Sequence, residues 1–263
     1  MVCEAQIMRV SLTKMHGARN DFVILDQRRE PLSDLVSFAR WACDRHAGVG
    51  ADGLIALESS NRADLRMHTI NPDGTDAEMC GNGVRCAARW LDEAGEGDRV
   101  EFETDAGLIT TEVVARGPEY LVRVAVGRPR VDSRVLPNGA SFVDVGNPHV
   151  VIFVADVEDV DLGALAAKVQ DESVFPEGTN VHVVAPVGEH ALRARHWERG
   201  VGLTMACGTG AVACAAVARE KKLVPSSVEV LVPGGRLVVE WDAGGEAYLV
   251  GPAVRVFDTK VRV

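Results

Sequence analysis

The tetrapeptide Cys80-Gly81-Asn82-Gly83 returns as Cys207-Gly208-Thr209-Gly210, 127 residues further along the chain. With six cysteines and 26 glycines in 263 residues, chance predicts about 0.06 such matches, so the pair marks an internal duplication. The same shift lays Leu65-Arg66 on Leu192-Arg193, Gly53 on Asn180 and Asn20 on Asn147. Later segments slip slightly: Val100-Glu101-Phe102 meets Val228-Glu229-Val230 at a shift of 128, and Gly127 meets Gly251 at 124. The chain therefore reads as two similarly folded halves, 1–128 carrying Cys80 and 129–252 carrying Cys207. A tail, 253–263, is expected to pack back on the first half.

Each half reads as strands around one helix. Val100–Thr104 and Leu108–Val114 flank Asp105-Ala106-Gly107, and Val228–Val232 and Arg236–Trp241 flank Pro233-Gly234-Gly235; both are hairpin patterns, hence antiparallel neighbours. Tyr120, Val122, Val124 and Val126 alternate as in a half-buried strand. After Cys80, the apolar positions Val84, Ala87, Ala88 and Leu91 follow helical spacing up to a stop at Gly95. After Cys207, Ala211–Ala218 is apolar on every side, which predicts a buried helix ending at Lys221-Lys222. Shorter helices are expected at Leu35–Cys43, capped by Ser33, and Leu162–Val169, capped by Asp161.

Composition narrows the partners. Acidic residues outnumber basic ones by 38 to 28, a formal charge of −10 that repels phosphate backbones and anionic membrane surfaces. Neither a nucleic acid nor a membrane is expected as a partner; no apolar run approaches the roughly 18 residues of a membrane span. Met1–Thr13 lacks the apolar core of an export signal, so a cytoplasmic chain with six thiols (Cys3, Cys43, Cys80, Cys86, Cys207, Cys214) is expected rather than a disulfide framework. Their spacings do not match a zinc knuckle, the histidines show no paired-ligand spacing, and no lysine marks a Schiff-base cofactor. Neither a metal nor a cofactor is expected.

The chemistry concentrates where each repeat sets a cysteine before a glycine-rich helix start. Unpaired N–H groups and the helix dipole favour negative charge there, which predicts thiols with lowered pKa. Two poised thiols suit the inversion of a carbon acid, in which one face loses a proton and the other gains one. Cys86 and Cys214, inside the helices, are expected only to pack. Asn20, Asn71, Asn147 and Asn180 recur at corresponding or flanking points; each alone is more often a turn residue, but together with the glycines they resemble the lining of a small polar site. Glu198-Arg199 precedes the second cysteine, and Arg199 can grip a carboxylate with a planar fork. His149 follows an Asn-Pro turn and can act as a base or an orienter.

These segments resemble diaminopimelate epimerases: Met15-His16-Gly17 with Asn20-Asp21-Phe22, 48–53, 71–86, 146–149, 175–180, 197–210 and Pro233-Gly234-Gly235. The resemblance implies an α/β fold of two homologous domains, each a barrel-like, mostly antiparallel sheet around a central helix, related by a pseudo-twofold. It implies a cofactor-independent enzyme of lysine and peptidoglycan-precursor synthesis that interconverts LL- and meso-diaminopimelate as a homodimer. Carried over, Cys80 and Cys207 are the catalytic thiols, tuned by His149 and Glu198 respectively. Substrate contacts fall on Asn20, Asn71, Gly81, Asn82, Asn147, Asn180, Glu198, Arg199, Gly208 and Thr209, and on the backbone of Gly53, where some members carry Gln. Phe257 matches an aromatic near the dimer contact. Arg19, where a Gly usually precedes the Asn, Leu203, where an acid is common, and Asp76, where Glu is frequent, depart from the pattern. The rival readings are another racemase of the two-cysteine fold, acting on proline or hydroxyproline, and a thiol-redox or zinc-binding protein, against which the missing C-x-x-C counts.

Overall fold

The computed structural model describes residues 9–77, 79–135, 139–170, 175–176 and 178–262. Cys3, the start of the Met1–Thr13 stretch and Glu177 lie outside the described residues. Two compact units emerge: one takes 9–17, 21–111 and 253–262, the other 18–20 and 112–252. The first holds β1 (Arg9–Gly17), most of β2 (Asn20–Asp26), α1 (Leu35–Cys43), β3 (Gly53–Glu58), β4 (Leu65–Ile70), β5 (Asp76–Ala77), α2 (Gly81–Glu93) and β6 (Arg99–Thr104). The chain passes into the second unit within β7 (Gly107–Ala115). There follow β8 (Leu121–Gly127), β9 (Arg130–Val135), β10 (Ser141–Asp144), β11 (Pro148–Phe153), α3 (Leu162–Gln170), β12 (Asn180–Pro186), β13 (Ala191–Glu198), β14 (Gly202–Thr204), α4 (Gly208–Glu220), β15 (Ser227–Val232), β16 (Gly235–Trp241) and β17 (Ala247–Pro252). Finally β18 (Val254–Arg262) returns to the first unit and pairs antiparallel with β1.

Most strand pairs are antiparallel, including the expected hairpin of β15 and β16, where Val232 faces Gly235. The hairpin pattern did not reveal four parallel pairs: β2 with β3, β4 with β6, β11 with β12 and β13 with β15. A parallel pair needs a crossover connection. The four helices among the described residues are those crossovers, α1 and α2 in the first half, α3 and α4 in the second. The two cysteine helices thus occupy the same topological slot, β4-α2-β6 and β13-α4-β15.

Local chemistry accounts for the helix ends. The cap of α1 is Asp34 rather than Ser33: Asp34 immediately precedes the first helical residue and its carboxylate accepts from the Ser37 N–H at 2.9 Å. Asp161 caps α3 through the Ala164 N–H at 3.0 Å. α2 ends where Gly95 turns left-handed at φ +78° and the Glu96 N–H returns to the Leu91 carbonyl. α4 is apolar all round because it is enclosed: it packs against β9 to β13 and β15 to β17, with Ala211–Ala218 buried throughout. In the first unit, Phe38, Ala39, Ala42 and Cys43 of α1 share a core with Val10, Leu12, Val23, Leu25 and Leu54.

Among the described residues, three non-glycine positions take the left-handed conformation where glycine is the easier residue. Arg19 at φ +65° follows Ala18 at φ +51° in the turn between β1 and β2, a physical reason for a Gly to be usual there. Lys222 at φ +58° closes α4, with the Leu223 N–H on the Ala218 carbonyl, and is exposed. Lys222→Gly should therefore raise stability by about 1 kcal/mol in urea unfolding; a loss of stability would contradict the assigned end of α4.

Candidate active site

Cys80 and Cys207 occupy the same structural position, the residue just before the first turn of α2 and of α4, both with extended backbone (φ −128°, ψ 110° and φ −116°, ψ 114°). Gly81 and Asn82, and Gly208 and Thr209, supply the first helical N–H groups behind them. The second glycine of each motif is a point of close approach. A Cβ on Gly83 would sit 2.9 Å from Ile55 Cδ1, and one on Gly210 would sit 2.6 Å from His182 Cε1.

Around Cys80, the helix start is braced from beneath by Arg85, which is fully buried. Its guanidinium donates to the Gly81 carbonyl at 2.9 Å and to Asn82 Oδ1 at 2.7 Å. Asn82 is buried as well, so its carboxamide is oriented by the fork, a role for Arg85 that the sequence reading missed. Gly53, beginning β3 beside Phe22, has 3.3 Å from its Cβ position to the Ile70 carbonyl and can offer only its backbone. Asn20 precedes Phe22, and its Oδ1 is buried with no partner among the described residues. Asn71 keeps its turn role: its N–H bonds the Thr75 carbonyl and its Nδ2 donates to Thr75 Oγ1 at 3.0 Å.

Around Cys207 the expected residues interlock more tightly. Asn180 Nδ2 donates to the Pro148 carbonyl at 3.0 Å and its Oδ1 accepts the Arg199 N–H at 3.0 Å, which ties the Asn147 turn, the start of β12 and the end of β13 together. Among the described residues the second N–H of the Asn180 amide meets no acceptor. The Arg199 side chain starts from an exposed turn position. Cys207 is only 4% exposed; its Sγ accepts from the Gly210 N–H at 3.4 Å and lies 3.6 Å from Thr209 Oγ1.

The lowered thiol pKa expected from the helix start is reversed at Cys207. Burial pushes the thiol well above its ordinary value and the Glu198 carboxylate adds to the rise, while Thr209 and the Gly210 N–H offset only part of it. Burial likewise raises Glu198, with the Cys207 thiol pulling in the opposite direction. At rest Cys207 is a thiol beside a carboxyl group able to receive its proton. Cys86 and Cys214 are completely buried; burial lifts Cys86 to about 12 and Cys214 higher still, as suits packing residues.

His149 is engaged at both ring nitrogens, Nε2 with Asn147 Oδ1 at 2.7 Å and Nδ1 with His182 Nε2 at 2.8 Å. His182 Nδ1 in turn meets His196 Nδ1 at 2.9 Å. All three rings are fully buried. This is a linear chain of hydrogen bonds and not a ligand cluster: His182 turns its two nitrogens to different neighbours, and no group of three or more His, Cys, Asp or Glu with metal-holding geometry occurs among the described residues. Sequence spacing hid His182 and His196, which sit on neighbouring strands.

Solved structures place the architecture first. The fold is that of a phenazine biosynthesis protein of the PhzF family from Bacillus anthracis (TM-score 0.71, 18% identity, 97% of this chain and 100% of that one). It is also that of a hydroxyproline epimerase from Agrobacterium vitis (TM-score 0.69, 16% identity, 98% and 93%). At these identities the likeness concerns the fold, a two-domain α/β architecture. The family follows from the sequence: the diaminopimelate epimerase family model matches residues 12–131 and 141–256. Curated diaminopimelate epimerases from Desulforudis audaxviator (41% identical, 95% of this chain, 99% of the relative) and Archaeoglobus fulgidus (40%, 97% and 98%) align nearly end to end. The chain belongs to the diaminopimelate epimerase family.

The buried histidines carry a pH signature. Burial, the largest cause, lowers His149 to about 3 and His196 to about 4, and lowers His182 as well. A histidine depressed below its unfolded value of about 6.5 contributes its full stability above that pH and loses it as the pH falls, because only the unfolded chain takes up the proton. Each such ring should cost about 2 kcal/mol between pH 7 and pH 5. Urea unfolding should show a fall of several kcal/mol over that range, shallower by about 2 kcal/mol in His196→Thr; equal slopes would mean that His196 is not held neutral.

Proposed function

We propose that this chain interconverts LL- and meso-diaminopimelate by moving the α-proton between two cysteine thiols, with no cofactor. The observation that carries the reading is the duplicated placement of Cys80 and Cys207 before equivalent helices, in a chain of this family. Inversion needs a base on one face of the α-carbon and an acid on the other. Cys207 enters one direction as the thiol that donates to the planar carbanion while the Cys80 thiolate takes the proton. In the other direction Cys207 must first be deprotonated, and Glu198 is the group placed to accept that proton. The N–H groups at Gly81, Asn82, Gly208 and Thr209 suit the α-carboxylate, whose charge grows as the carbanion forms. Arg199 and the amides of Asn20, Asn71, Asn147 and Asn180 suit the polar ends of a diaminodicarboxylate, and the Gly53 backbone completes the set. His149, expected to tune Cys80, has both ring nitrogens engaged by Asn147 and His182, so its part in this reading runs through Asn147, whose oxygen it holds.

The same reading makes the protein a cytoplasmic homodimer of lysine and peptidoglycan-precursor synthesis with a small-molecule substrate. No helix among the described residues is long and apolar enough to cross a membrane. Phe257, 44% exposed on β18 beside exposed Val256, suits a subunit contact. Phe257→Asp should therefore halve the mass seen in sedimentation, and an unchanged mass would remove that contact.

Cys80→Ala and Cys207→Ala should each reduce kcat for epimerisation by at least a thousandfold, while Cys86→Ala and Cys214→Ala lower stability and leave turnover close to normal. Near-normal turnover in either of the first pair would defeat the two-thiol mechanism. Racemisation of L-proline at a comparable kcat/KM would instead favour the broader racemase reading.

A further inference from the structure

The internal duplication supplies its own control for the buried histidines. Shifting by 127 residues lays Phe22 on His149, Ile55 on His182 and Thr69 on His196, and Asn20 on Asn147. The strand pairings agree: Ile55 faces Thr69 between β3 and β4, and His182 faces His196 between β12 and β13. Ile55 packs on Gly83 as His182 packs on Gly210. One fold therefore accepts Phe, Ile and Thr at these points in one half, so three imidazoles in the other are not a requirement of the architecture.

Their proton arrangement follows from the contacts. A carboxamide oxygen only accepts, so His149 Nε2 carries the proton in its 2.7 Å bond to Asn147 Oδ1. A neutral ring has one N–H, so His149 Nδ1 accepts from His182 Nε2–H, and His182 Nδ1 accepts from His196 Nδ1–H. The chain ends on His196 Nε2, a bare acceptor that has no partner among the described residues. It has one direction, and its output is the Asn147 carboxamide. In the first half, where Phe22 stands in place of His149, the corresponding Asn20 Oδ1 has no donor among the described residues.

We infer that His182 and His196 are positioning residues that lock the His149 tautomer and thereby hold the Asn147 oxygen inward, leaving its Nδ2H2 as the end that meets a substrate oxygen. The inference rests on the proposed reaction for its kinetic consequence but not for its structural one. Lost orientation of one donor that serves ground state and transition state alike raises KM and spares kcat.

The test uses the full-length chain with the first half's own residues at these places, His182→Ile and His196→Thr, alone and together. In wild type, 15N spectra of the imidazoles should show Nε2–H for His149 and His182 and Nδ1–H for His196, with couplings across both nitrogen pairs. His182→Ile should abolish the coupling to His149 and shift the Asn147 side-chain amide signals. It should raise KM for diaminopimelate about tenfold or more with kcat changed less than threefold, and adding it to Asn147→Ala should bring no further loss. Opposite tautomers, an unmoved Asn147 amide signal, or losses that multiply in the double variant would overturn the inference. A wild type inactive on diaminopimelate would defeat the proposed reaction instead, and the spectra would still decide the histidine chain.

Discussion

Two absent methyl groups hold both half-sites together. At Gly83 and Gly210 a Cβ would stand under 3.0 Å from Ile55 and His182, so each cysteine-bearing helix approaches its sheet closely enough that a larger residue would displace the neighbouring side chain, the Ile55 methyl in one half and the buried His182 ring in the other. That approach fixes where the strand ends, where the helix begins, and hence where Cys80 and Cys207 stand relative to the first unpaired N–H groups. The crossover topology repeats the arrangement, with α2 joining the parallel pair β4 and β6, and α4 joining β13 and β15.

From this common frame the halves diverge chemically. The Cys80 half is braced by a buried guanidinium on the helix start and lined by Phe22 and Ile55. The Cys207 half is lined by imidazoles and carries Glu198 against the thiol. A duplicated scaffold with unlike surroundings suits a reaction in which one group gives a proton and the other takes one, since the two need not rest in the same protonation state. Burial supplies the difference at Cys207, because taking the thiolate out of water costs more than the helix N–H groups return.

What the sequence made legible was local. The C-G-x-G repeats, the helical spacing after Cys80, the all-apolar run after Cys207 and the hairpin at Pro233-Gly234-Gly235 are statements about neighbouring residues, and the structure has them. The cap at Asp34 instead of Ser33 was a shift of one residue. The parallel pairs were not legible, because hairpin signals report only strands joined by a tight turn, and each parallel pair is joined through a helix. Nor was the raised pKa of Cys207, which depends on burial by strands far along the chain. His182 and His196 show no pattern along the chain; the clue was the shift of 127 residues, which sets them against Ile55 and Thr69.

The measurement closest to the central claim is the fate of the α-hydrogen. LL-diaminopimelate turned over in D2O and stopped early should give meso product carrying one solvent deuterium at the inverted carbon, with the unreacted LL substrate still protiated, since the group that removes the proton is not the group that returns one. Product that retains the substrate's own hydrogen at that carbon would mean a single base serves both faces, and the paired thiols would lose their role.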